Sequence, residues 1–516
     1  MASIFHGLRQ AAPRLSRDLF ICRQCMKQSR SAIGKTPFLG KSRFQRGARF
    51  SSIAASLDNA AGRSSPLASL SQTIAAPKVG HSQIAGSTKG FFPETSSKSV
   101  AYWLLGSAAS VFGIVIFGGL TRLTESGYLL KRSLLGIEAN LHSLSITEWK
   151  PVTGSLPPLS ADDWQSEFDK YRLSPEFKQL NPHMTLEEFK KIYYMEWGHR
   201  LWGRIVGLTF VIPAVVFVAR RKVSAHMSLR LLGISGLIGF QGALGWWMVK
   251  SGLKDDLFAP GSHPRVSQYR LTAHLGTAFI CYLAMLWNGL SILRDAKLLS
   301  SPAKGHGHLL RLSSPTFSVF RKSVAGLAIL VFATAMSGGL VAGLDAGLIY
   351  NQFPRMGVGF TPPYSELFSK FYSRKEDGSD IWWRNMLENP STVQLDHRIL
   401  ATTTFTAILS LWAYSRFNLK VKAALPTACR KGMVGVVHLA FLQVLLGIST
   451  LIYLVPTPLA AAHQAGSLAL LTGVLVLGNR TWVPKRTLKL LQSRMSSTRS
   501  ATMPGLARRI GLGTQS

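Results

Sequence analysis

Acidic residues are scarce in this chain of 516: 24 Asp and Glu stand against 59 Lys and Arg, and charged residues of both signs make up only 16%. A soluble protein carries about a quarter, so the length does not read as two to four soluble domains. Cysteine is rarer still. Cys22, Cys25, Cys281 and Cys429 are too few and too scattered for a disulfide framework. Cys22 and Cys25 form a CxxC pair, but no second pair follows to complete a metal site. The net charge of +35 does not read as nucleic-acid binding either, because the basic residues lie between apolar stretches instead of clustering on a soluble fold.

The first hundred residues lack a continuous apolar run, which excludes a secretory signal. Up to residue 101 they hold fifteen Lys and Arg against three acids (Asp18, Asp58 and Glu94), with many Ser and Ala. This acid-poor, Arg- and Ser-rich composition predicts a mitochondrial transit peptide over residues 1–50, with Arg46-Gly-Ala-Arg49-Phe50-Ser51 as the processing run. Residues 51–100, rich in Ser, Gly and Ala, read as a disordered matrix linker.

What the chain has in quantity is apolar sequence, at 47% of residues. A helix needs about 20 such residues to cross the hydrocarbon core. On that basis spans are expected near 102–120, 199–219, 229–249, 270–293, 322–344, 397–415, 432–453 and 459–478. Charge gives an independent check. The basic excess falls before span one, after spans two, four and six, and after span eight. Those five segments share one side of the membrane only if the spans between them are even in number. By the positive-inside rule that side, with both termini, is the matrix. The loops 121–198 and 345–396 then face the intermembrane space. The expected fold class is an all-α membrane protein of eight transmembrane helices.

The two halves echo each other. Phe117-Gly-Gly-Leu120 at the end of span one matches Ser337-Gly-Gly-Leu340 at the end of span five. His199-Arg200 opens span two and His397-Arg398 opens span six. Gln241…Gly245 in span three matches Gln443…Gly447 in span seven. Ala273-His274 in span four matches Ala462-His463 in span eight. Each unit has four spans, so the repeats share orientation. Two pseudo-symmetric four-helix bundles in parallel repeat follow, an N-terminal one over 101–295 and a C-terminal one over 320–480, with a basic matrix tail over 481–516.

An ionisable residue inside a membrane helix is costly and marks function. His199, His274, His397 and His463 fall at equivalent places near the outer ends of the four even-numbered spans. Two histidines from one bundle can face each other across its core, as axial haem ligation requires. Zinc or copper would also accept imidazole, but bundles lined by His, Gly and aromatic residues without Cys or paired carboxylates suit haem better. His438 has no counterpart and reads as structural. Arg200 and Arg398 follow their histidines directly, placed to pair with haem propionates or to hold loop carbonyls. Glu196, three residues before His199, shares its helix face. The nearest acid in the second half, Asp396, lies about 100° around the helix. A carboxylate beside one pair only suggests that one half does chemistry, with Glu196 as a base, while the other holds a cofactor.

The segments Gly118-Gly-Leu-Thr-Arg-Leu-Thr-Glu-Ser-Gly127, Thr147-Glu-Trp-Lys-Pro-Val-Thr-Gly154, Met195-Glu-Trp-Gly-His-Arg200 and Asn351-Gln-Phe-Pro-Arg-Met356 resemble those of the haem A synthase family of the mitochondrial and proteobacterial type. The resemblance implies an inner-membrane enzyme that oxidises a ring methyl of haem O to a formyl group, supplying haem A for cytochrome c oxidase assembly. It implies Glu196 as the catalytic residue, with His199 and His274 at the haem O site. It also implies a haem b in the C-terminal bundle on His397 and His463. The expected partners are haem O and the enzyme that makes it, a ferredoxin-like electron-transfer partner on the matrix side, assembly factors of the oxidase, and membrane lipid. Self-association is compatible with it. One stretch departs from the family pattern: about sixteen residues, roughly Tyr128 to Ser143, intervene before the Thr147 motif. On the residues alone, a dihaem b-type electron-transfer cytochrome and a non-enzymatic haem carrier remain the alternatives, since both would use paired histidines.

Overall fold

A computed structural model describes residues 91–133, 145–148, 150, 156–253 and 265–510, with backbone alone for 124–133 and 498–510. The leader, its CxxC pair and most of the linker lie outside the described residues. So does the larger part of the Tyr128–Ser143 stretch, the first residues of which continue a helix to Ser133. Everything described below belongs to one compact unit that starts at Gly90.

Among the described residues there is no strand, only an isolated bridge between Met356 and Gly359. Twelve described helices reach eight residues or more: α1 Lys98–Ser133, α2 Ala161–Arg172, α3 Leu186–Ala219, α4 Ala225–Ser251, α5 Gln268–Leu299, α6 Pro302–Ser313, α7 Pro315–Gly343, α8 Ile381–Glu388, α9 Pro390–Phe417, α10 Thr427–Ile452, α11 Thr457–Thr481 and α12 Lys485–Ile510. Their starts are written locally. Thr185 and Glu188 form a reciprocal capping box at α3, as Ser160 and Asp163 do at α2. Pro390 sits in the first turn of α9, where its missing N–H removes no bond.

Seven described helices are long and apolar enough to cross a membrane: α1, α3, α4, α5, α7, α10 and α11. The expected sixth span, 397–415, falls within α9. That helix has the length, at 28 residues, but not the hydropathy, because Gln394, Asp396, His397, Arg398 and a run of threonines interrupt it. Three of its threonines are hydrogen-bonded. Thr402 donates to the carbonyl of Arg398, Thr406 to that of Thr402, and Thr404 shares a hydrogen bond with Thr334.

Packing follows a repeated scheme. Helix α1 lies against α3 and α5, and α4 against α5 and α3. In the second half α7 lies against α9 and α11, and α10 against α11 and α9. The two groups meet where α1 touches α11 and where α5 touches α7 and α11. An apolar core that includes Leu104, Phe210, Met285, Phe320, Leu327 and Leu468 runs through both. Small residues allow the close approach at the seam: a Cβ on Gly276 would stand 2.9 Å from Met336 Sδ, and one on Gly343 would stand 2.6 Å from Gln268 Cβ.

The helices begin further out than the apolar pattern alone indicates. Helix α3 starts at Leu186, so its first turns rise beyond the apolar stretch as an amphipathic extension. There Phe189 and Tyr193 pack against Trp164, Phe168 and Tyr171 of α2, a second small core above the first.

Candidate functional site

The four histidines of the matched helices come together in twos. His397 on α9 and His463 on α11 face each other with ring centroids 6.4 Å apart and planes at 89°. His199 on α3 and His274 on α5, the corresponding helices of the first half, lie within electrostatic reach of one another. All four residues are half-buried. His438 differs: it is exposed on α10, and among the described residues no ring pairs with it.

Glycine explains how the rings fit. A Cβ on Gly118 would stand 2.7 Å from His199 Cε1, one on Gly338 3.1 Å from His397 Cε1, and one on Gly447 2.8 Å from His463 Cε1. The Gly-Gly repeats seen in the sequence are therefore the surfaces that back the imidazoles of the neighbouring helix. The paired glutamines act equivalently too. Gln241 Nε2 donates to the carbonyl of His274 at 2.7 Å, and Gln443 Nε2 to that of His463 at 2.9 Å.

At their Nδ1 atoms the halves part. Ser337 Oγ lies 2.8 Å from His397 Nδ1, and Gln443 Nε2 lies 3.1 Å from His463 Nδ1. Among the described residues, His199 Nδ1 and His274 Nδ1 are buried without a hydrogen-bond partner. Phe117 stacks on His199, with centroids 6.5 Å apart.

Glu196 is 8% exposed and bonded both to the segment around residue 146 and to Arg200. Its Oε2 accepts from Ser145 Oγ at 2.7 Å and from the Ile146 amide at 2.9 Å, while Oε1 accepts from Arg200 Nη2 at 2.6 Å. Arg200 also donates to the carbonyls of Ile146 and Glu148, and Arg204 to that of Lys150. The arginines that follow the histidines thus grip the loop carrying the Thr147-Glu-Trp-Lys motif. The second half repeats the device: Arg398 donates to the carbonyls of Tyr350 and Arg355, gripping the Asn351–Met356 motif. Tyr350 is itself anchored on Glu366, and burial, with that carboxylate second, pushes its phenol up to about 12.

The true counterpart of Glu196 is Gln394, and not Asp396. Gln394 lies three residues before His397, is 2% exposed, and donates to the Tyr350 carbonyl at 2.9 Å. A comparison of acids alone passes over it. The signal was present in the sequence as an equal spacing, with Glu and Gln of the same shape at the same offset from each histidine.

The His397–His463 pair fits a haem-sized planar metal group. Two metal–imidazole bonds of about 2 Å each, plus the half-width of each ring, span about 6 Å, which matches the His397–His463 separation. Among the described residues no three of His, Cys, Asp and Glu converge on a point. The donor sets are pairs of imidazoles, which suits axial ligation rather than a tetrahedral cluster.

The pattern described as cytochrome oxidase assembly protein (COX15-CtaA) matches residues 101–475. The chain is 50% identical over 391 residues to "Heme A synthase COX15" of Saccharomyces cerevisiae, covering 76% of each. It is 46% identical over 388 residues to "Heme A synthase COX15" of Homo sapiens, covering 75% of this chain and 83% of that one. A third relative, "Heme A synthase-mitochondrial ferredoxin fusion protein" of Schizosaccharomyces pombe, is 48% identical over 419 residues, or 80% of this chain and 64% of the other. The matched range contains both histidine pairs and the loops that the arginines grip, and the chain belongs to the COX15-CtaA family of cytochrome oxidase assembly proteins.

Proposed function

We propose that this chain is a haem A synthase, an oxidoreductase of the mitochondrial inner membrane that converts a ring methyl of haem O to a formyl group for cytochrome c oxidase assembly. Its relatives bear that name at 40–50% identity. The observation that carries the division of labour is the difference between Glu196 and Gln394. A carboxylate stands beside one histidine pair and an amide of the same shape beside the other.

In this reading the eight helices α1, α3, α4, α5, α7, α9, α10 and α11 span the membrane as two pseudo-symmetric four-helix bundles over 101–295 and 320–480. Residues 1–50 are the leader, 51–100 the matrix linker and 481–516 the basic matrix tail. Both termini face the matrix and both histidine pairs the intermembrane space. The matching packing schemes of the two halves support the arrangement.

His199 and His274 bind the substrate haem. His397 and His463 would hold a resident haem b, which supplies one-electron chemistry when bound. Turning a methyl into a formyl group replaces hydrogen on one carbon by oxygen, and Glu196 is placed to take one proton at a time from that site and pass it on. A carboxylate has about four lone-pair sites, and three donors occupy Glu196, which leaves capacity for one more. Arg200 and Arg398 close the outer loops over the two sites and orient the propionate edges. The ferredoxin fused to the Schizosaccharomyces pombe relative supports a ferredoxin-like electron partner on the matrix side.

Extraction of haems from membranes that express the chain with a source of haem O tests this. Haem A should accumulate, and Glu196→Ala should abolish it while bound haem b persists. Unchanged haem A in that variant would overturn the role of Glu196.

A further inference from the structure

The two halves fasten their first histidines differently, and the difference lies at one position of the repeat. Ser337 precedes Gly338, which backs His397, and Phe117 precedes Gly118, which backs His199. Ser337 Oγ lies 2.8 Å from the carbonyl of Thr334, which can only accept, so its single hydrogen is committed there. The hydroxyl then has only a lone pair to offer His397 Nδ1, also at 2.8 Å. That contact makes Nδ1 the protonated nitrogen of His397 and leaves the Nε2 lone pair free for a metal.

Phe117 has no acceptor to offer. It stacks on His199 with planes at 22°, and the buried His199 Nδ1 has no hydrogen-bond partner among the described residues. Among the described residues His199 is therefore held by packing alone, with neither tautomer preferred by a neighbour. A hydrogen bond from the far nitrogen of a metal-bound imidazole fixes the ring and raises its basicity, and its loss weakens metal binding by about 10- to 100-fold.

We propose that Ser337 is a positioning residue that makes the C-terminal site retentive, and that Phe117 in the equivalent place makes the N-terminal site exchangeable. One site must keep its haem through many turnovers while the other must release product. The proposal rests on the reading above that each histidine pair binds haem.

The test uses the purified full chain loaded with haem. Transfer of haem b to excess apomyoglobin is followed by absorbance, and the midpoint potential is measured by redox titration. Ser337→Ala should release haem b about 10- to 100-fold faster than the unmodified chain. Its potential should rise, because a less basic imidazole favours the ferric state less. Ser337→Thr should restore both. Phe117→Ser should slow haem loss from the N-terminal site, a gain that misfolding cannot produce. Haem release and potential unchanged in Ser337→Ala would overturn the proposal, provided that His397→Ala loses haem b. Retention of bis-histidine haem b in His397→Ala would instead overturn the haem-site reading on which it rests.

Discussion

Glu196 and Gln394 occupy the same place in the two halves of the chain: each lies three residues before its histidine, each is buried, and each bonds the outer segment that the following arginine also grips. Glu196 accepts from the amide of Ile146, whereas Gln394 donates to the carbonyl of Tyr350. A duplicated framework therefore holds opposite hydrogen-bond polarity at one position.

That polarity makes exchange informative. Gln394→Glu would set a carboxylate against the Tyr350 carbonyl, with loss of a buried hydrogen bond and repulsion in its place. Stability should fall by about 1–3 kcal/mol, read as a lower melting temperature of the purified protein. Glu196→Gln should keep the fold to within about 1–2 kcal/mol but lower haem A formation by about a hundredfold or more.

The glycines behind the histidines predict a graded series. Gly118→Ala and Gly447→Ala place a Cβ 2.7 and 2.8 Å from an imidazole carbon, closer than the 3.1 Å at Gly338. Gly447→Ala should therefore lower bound haem b more than Gly338→Ala, measured per protein by pyridine haemochrome. Equal haem content in both would contradict the packing.

The arginine clamps predict local loosening. Arg200→Lys and Arg398→Lys keep the charge but lose the planar fork that reaches two carbonyls at once. Amide exchange should accelerate by about ten- to a hundredfold near Ile146 in the first variant and near Asn351–Met356 in the second, with the other loop unchanged.

Acidification should loosen the outer segment around α8. Asp380 is held below the ordinary carboxylate range, first by the Ser373 hydroxyl and then by the Arg374 amide and the Arg384 guanidinium. Its contribution is complete above the ordinary Asp value of about 4 and is lost as the pH falls towards its lower folded value. Proteolysis between Ser369 and Glu388 should rise with acid in the wild type. In Asp380→Asn it should be high at neutral pH and flat.

Labelling tests the membrane crossing of α9. With native cysteines replaced, Ser379→Cys and Lys420→Cys should react with an impermeant maleimide from opposite faces of sealed inner-membrane vesicles. Labelling from one face would show that α9 does not cross.

Much of this protein was legible beforehand because membranes impose coarse rules. Apolar length predicted eight spans and located the seven described helices that are long and apolar enough to cross a membrane, and the repeat singled out the four histidines and their arginines. The helix starts were less legible. Leu186–Met195 is amphipathic, and it becomes helical by packing on α2 above the apolar stretch.

The sequence by itself determined the helical class, the duplication, and which residue types a lipid core tolerates only for a function. Only the tertiary structure decided how those residues are used. It joined His397 to His463, set Arg200 and Arg398 on loop carbonyls, and gave Glu196 and Gln394 hydrogen bonds of opposite polarity. It also gave His397 a hydroxyl where His199 has a phenyl ring. The reason is physical. Hydropathy and charge are summed along the chain, whereas a hydrogen bond or a ring contact depends on which side chains of distant helices meet.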